Sequence, residues 1–97
     1  MKSKTSKIWP KTIAEAIHIL DVALSDEDKE LIKSIPLENL QRLQSSLGTL
    51  IVSEFGLHDG NYELITCTLE IDPELAAGTI IREFWDSLHM APIQQIH

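Results

Sequence analysis

Four times along this chain a helix-capping residue stands directly before a segment whose apolar positions recur every three or four residues: Thr12, Ser25, Asn61 and Asp72. A capping side chain satisfies a backbone N–H that the first turn of a helix leaves without a partner, so this punctuation marks where helices begin. Strand signals are nearly absent. The one β-branched, turn-bounded candidate is residues 64–71, and it is short. A chain cut into short amphipathic helices can bury its apolar stripes only against one another. The expectation is an all-α, compact single-domain bundle of about five helices with short connections. Its 97 residues suit one core and no second.

Thr12 opens the first helix, and Glu15 completes the capping-box pattern, with Trp9 and Pro10 expected against the first turn. At about 100° per residue, Ile13, Ala16, Ile17, Leu20, Ala23 and Leu24 share one stripe. Ile19 and Val22 flank it, so the apolar arc is wider than a surface helix needs. Either this helix is central and touched on two sides, which is the expectation, or its Ile19/Val22 edge meets a partner. Ser25 caps a second helix to Ser34, whose acidic first turn (Asp26, Glu27, Asp28) sits at the positive helix end. Its apolar face is Leu31, Ile32 and Ile35, and Pro36 breaks it.

The third helix, residues 37–55, carries Leu40, Leu43, Leu47, Leu50 and Ile51 in one arc, with Leu37 and Phe55 at its edge. Gly48 would admit a neighbouring helix closely, and Gly56 is the expected left-handed C-cap. A turn over 57–61 leads to a short helix over 62–68 capped by Asn61. Asp72-Pro73-Glu74 starts the last helix, which runs to about Met90 with Ala77, Ile80, Ile81, Phe84, Trp85 and Leu88 on one arc. Residues 1–8 read as a disordered basic tail, 9–91 as the helical domain and 92–97 as a loose C-terminal tail.

Formal net charge is −7, and the distribution is more lopsided than that figure. Lys2, Lys4, Lys7 and Lys11 are half of the eight basic residues, whereas all fifteen carboxylates follow Thr12. So acidic a body repels phosphate backbones, which disfavours nucleic-acid binding by the domain, so none is expected, and favours a basic protein partner. No apolar run approaches the roughly 18 residues of a membrane helix, and the opening MKSKTSKIWPK lacks the apolar stretch of a secretory signal. A cytoplasmic protein with no membrane association is expected. A single cysteine, Cys67, excludes an internal disulfide and a multi-cysteine metal knuckle, and it reads as a small core residue.

From Trp9-Pro10 to Leu88 the chain resembles a family of small bacterial proteins known only as a domain of unknown function. The shared elements are Pro10-Lys11-Thr12, Leu24-Ser25-Asp26-Glu27-Asp28-Lys29, Leu47-Gly48-Thr49-Leu50-Ile51, Phe55-Gly56-Leu57, Gly60-Asn61, Asp72-Pro73 and Trp85-Asp86-Ser87-Leu88. The family often has an arginine after the Ile51 position and a tryptophan after the Leu57 position. Here Val52 and His58 stand instead, so a surface built on that pair would be altered in this member. Caps, turns and core residues dominate the match, so the resemblance implies a fold and brings no activity.

No triad of nucleophile, base and orienting acid is legible, and no glycine loop for phosphate; a non-enzyme without catalytic residues, metal or cofactor is expected. His18 and Asp21, three apart on a helix, read as a mild ion pair. The densest polar cluster is Glu54, His58, Asp59 and Asn61, which lacks the ordered ligand spacing of a metal site. Its plain structural reading is a fraying helix end, a turn and a cap. Were Glu54 buried, it would become a candidate functional group. The functional expectation is a binding protein acting on another protein through Ile19, Val22 and Trp85, of inhibitor or immunity type toward a basic partner. The same residues could pair two copies of the chain. The alternative is a small-ligand or metal-binding protein or enzyme using Glu54, His58 and Asp59.

Overall fold

The computed structural model describes residues 9–90, and the tails expected over 1–8 and 92–97 lie outside them. Five α-helices follow in order: α1 Ile13–Ala23, α2 Asp26–Ser34, α3 Thr49–Glu54, α4 Tyr62–Cys67 and α5 Pro73–Met90. A 3₁₀ helix, Leu37–Leu43, and a π segment, Gln44–Gly48, run straight into α3. No strand occurs among the described residues. The protein is an all-α compact bundle.

The caps fall where the sequence puts them. Thr12 Oγ1 accepts the Glu15 N–H and Ser25 Oγ accepts the Asp28 N–H, each at 3.1 Å. The Glu15 carboxylate reaches back to the Lys11 N–H at 2.8 Å, one residue earlier than a capping box requires. Every helix and both non-α segments touch α5, which buries Ala76, Ala77, Ile80, Ile81 and Phe84. The expectation that the first helix is central is therefore corrected. α5 is the longest element at 18 residues, and the small Ala76-Ala77-Gly78 run lets several neighbours come close. α1 buries only Ala16 and Leu20, and its Val22 and Ala23 are exposed. On α2, Ile32 is buried and Ile35 packs at the edge of the core, while Leu31 points to solvent against expectation.

Residues 37–54 are helical throughout, but they do not form the single α-helix expected. In a 3₁₀ helix side chains at i and i+3 eclipse. Leu37, Leu40 and Leu43 have that spacing and form one row, with Leu40 buried and Leu43 packed beside it. The wider π turn then resets the phase, so that Leu47 and Ile51, four apart, are both buried. Leu50 is left exposed. Gln44 clamps the π turn: its Nε2 donates to the Glu74 carbonyl at 2.8 Å. A Cβ on Gly48 would lie 3.2 Å from the Gln44 side chain, and one on Gly78 of α5 3.3 Å from its Oε1. The space expected at Gly48 for another helix is filled by a glutamine from its own rod.

Candidate functional site

α1 and α3 both lean on α5 and make little direct contact with each other. Between them lies an apolar groove of about 420 Å³, lined by Ile19, Leu20 and Ala23 of α1, Leu50, Ile51 and Glu54 of α3, and Pro10 and Phe55. A second hollow of about 440 Å³ shares Pro10 and Ile19 with it and continues past Trp9, Ala14, Glu15 and His18. Among the described residues the charged side chains along both are Glu15 and Glu54.

Beside the groove, the end of α3 is covered by Trp9. α3 stops in a Schellman turn: Gly56 takes φ 68°, and the Leu57 N–H returns to the Val52 carbonyl at 3.1 Å. The Trp9 indole lies over Gly56 so closely that a Cβ there would come within 2.3 Å of the ring. Trp9 therefore covers the end of α3 as well as lining the hollow beside α1. Asn61 ties the parts together from a buried position. Its Nδ2 donates to the Pro10 carbonyl at 2.9 Å and to the Phe55 carbonyl at 2.7 Å, while its Oδ1 accepts the Leu64 N–H at 3.4 Å. Its own backbone (φ −79°, ψ 68°) centres an inverse γ-turn, closed by the Tyr62 N–H on the Gly60 carbonyl at 2.8 Å.

The polar cluster seen in the sequence disperses here. Glu54 is exposed at the rim of the groove, so the condition of burial that would have made it a functional candidate is not met. His58 turns to α5, where its Nε2 lies 3.0 Å from Glu74 Oε2, both side chains exposed. Asp59 is exposed in the turn, and its N–H donates to the Gly56 carbonyl at 3.0 Å. Asn61 is the structural clamp just described. Among the described residues no group of three or more His, Cys, Asp or Glu is placed to hold a metal ion.

Of the three expected partner-binding residues, Ile19 is half-buried in the groove wall and Val22 is 70% exposed on the same helix. Trp85 belongs elsewhere. It is half-buried, donates Nε1–H to the Ile35 carbonyl at 2.8 Å and packs its ring 4.1 Å from that of His89. Asp21 takes Lys29 Nζ at 3.2 Å rather than the His18 expected beside it. Cys67, expected in the core, is exposed at the end of α4, and its Sγ accepts the Ile13 N–H at 3.4 Å, serving an orphan donor of α1. Of the two positions where the chain departs from the family pattern, Val52 packs at the core's edge and His58 pairs with Glu74.

Sequence reasoning missed Leu50 and Pro10 as groove residues, and Gln44 as a clamp. The three-residue spacing of Leu37, Leu40 and Leu43 was the available signal for Leu50. It announces a tighter winding, after which the phase of every later leucine changes.

Fold and surface together define a small all-α domain that presents a shallow apolar groove rimmed by carboxylates. It belongs to the family described as domain of unknown function (DUF6794), which matches residues 9–88. That match begins at Trp9, the residue that covers the end of α3. No curated protein and no solved structure matches the chain. Among the described residues no helix is long and apolar enough to cross a membrane.

Proposed function

We propose that this chain is a non-enzymatic, acidic helical protein that works by binding a basic protein partner along the α1/α3 groove. The observation that carries the reading is the groove itself. Apolar side chains of Ile19, Leu20, Leu50 and Phe55 line a space that no residue of the described core closes, with Val22 exposed on the same helix and Glu15 and Glu54 at the margins. Burying such a surface against a complementary one supplies hydrophobic free energy, and the acidic body, with all fifteen carboxylates after Thr12, steers a cationic partner and rejects an anionic one. A segment with an apolar stripe flanked by lysine or arginine has the matching chemistry. An inhibitor or immunity-type role toward the cationic site of a nucleic-acid-handling protein is the concrete version we favour. We place the protein in a bacterial cytoplasm, because the motif resemblance is to small bacterial proteins and the lone Cys67 suits a reducing compartment.

The test is affinity capture from native cell extract at low and at high salt, with the wild type and with Val22→Asp. A partner held by the wild type, released by salt and lost in Val22→Asp supports the reading. The absence of any salt-sensitive partner overturns it.

A further inference from the structure

The turn joining α4 to α5 carries a second apolar feature, built from residues the groove does not use. Leu69 is 90% exposed and Ile71 93% exposed. Leu69 also holds φ 66°, the left-handed region where a leucine's Cβ crowds its own backbone. This corner is fixed from within. Buried Thr68 donates its hydroxyl to the Ile65 carbonyl at 2.6 Å and accepts the Glu70 N–H at 3.3 Å. On the far side Asp72 accepts the Glu74 N–H at 2.8 Å and starts α5. Two large apolar side chains are thus held out into solvent by a strained, preorganised backbone, and a surface ordered in advance loses little conformational entropy on docking.

Charge says what would cover them. Next to the corner lies an open hollow of about 620 Å³, whose lining includes Glu70, Glu74, Glu83 and Arg82. From Leu43 to Met90 the chain has eight carboxylates and one cation, Arg82, whose Nε sits 3.8 Å from Asp86. A second copy would bring the same negative charge against this face, so self-association is opposed and a basic surface is attracted.

We propose that Leu69 and Ile71 form a convex plug that enters an apolar pocket on another protein, a pocket bordered by lysine or arginine whose cations settle in the Glu70/Glu74/Glu83 hollow. The plug is a surface separate from the groove, and it rests on the protein-binding reading only for its class of partner.

A benzoylphenylalanine photo-cross-linker in place of Ile71, in the full chain expressed in its native cells, tests it. The expected result is one discrete adduct, attached to a residue in an apolar pocket with neighbouring lysine or arginine. Its yield should fall at least tenfold in the background of Glu70→Lys with Glu83→Lys, and also on raising the salt with the acidic residues intact, which needs no substitution that could disturb folding. Three results overturn the proposal: no adduct above that of a control cross-linker at exposed Leu31, an adduct between two copies of this chain, or a yield indifferent to charge reversal and salt. A cross-linker in place of Val22 reads the groove independently. Adducts there with none at position 71 would remove the plug and leave the groove reading standing.

Discussion

α3 leaves its last turn through Gly56 at φ 68°, and α4 leaves its own through Leu69 at φ 66°. The two residues occupy the same position after a helix and the same left-handed backbone region, yet their surroundings are opposite. Gly56 is buried beneath the Trp9 indole, so a side chain is forbidden there by space as well as by backbone preference. Leu69 stands in solvent, so only its backbone opposes the side chain, and a leucine is tolerated. One turn is closed over by an indole and the other holds a pair of apolar side chains outward. The lesson is that identical local geometry serves closure or display according to what packs against it.

The largest expected effect breaks the covered turn. Gly56→Ala combines a left-handed alanine with intrusion into the Trp9 ring and should destabilise the fold by about 3 kcal/mol in chemical denaturation. Loss of tryptophan quenching or burial at Trp9 should accompany it in fluorescence. Asn61→Ala, next in size, removes the cap of α4 and strips two carbonyls of their donor. It should cost about 2 kcal/mol, read as a lower denaturant midpoint with an unchanged slope.

The displayed turn responds with the opposite sign. Leu69→Gly relieves the backbone and removes an exposed apolar side chain, so it should stabilise the protein by about 0.5–1 kcal/mol after the added freedom of the unfolded chain is counted. A stability unchanged or lowered in a thermal melt would show that Leu69 packs usefully in solution and would weaken the contrast. The smallest effect concerns Asp72, which starts α5 just after the displayed turn. The Glu74 N–H donating to its carboxylate holds Asp72 below its ordinary 3.8. A carboxyl with a depressed folded-state value contributes stability above that range and loses it as pH falls through it. Wild-type stability should therefore drop between about pH 5 and about pH 3 by more than that of Asp72→Asn, compared by urea denaturation at each pH.

Much of the architecture is written locally. Thr12, Ser25, Asn61 and Asp72 each cap the helix that follows them, because a cap depends on two or three neighbouring residues and needs no distant partner. The left-handed Gly56 is legible for the same reason. Leu69 is not, since leucine carries no signal for that conformation. The cluster of Glu54, His58, Asp59 and Asn61 looked like a site because it is dense in sequence. Folding sends His58 to Glu74, sixteen residues away, and turns Asn61 inward to Pro10, fifty-one residues away. Proximity along a chain that ends one helix and starts another says little about proximity in space.

By itself the sequence determined where helices begin, that they are amphipathic, that no sheet forms among the described residues, and that the body is strongly acidic; each follows from short-range chemistry or from counting. Only the tertiary structure decided that α5 is the hub, that the leucine rod passes through 3₁₀ and π windings before α3, and that Leu50 faces a groove while Ile51 is buried. The physical reason is that helix phase and helix partner are fixed by contacts such as that of Gln44 between Gly48 and Gly78, which join residues thirty or more positions apart and leave no mark in either neighbourhood alone.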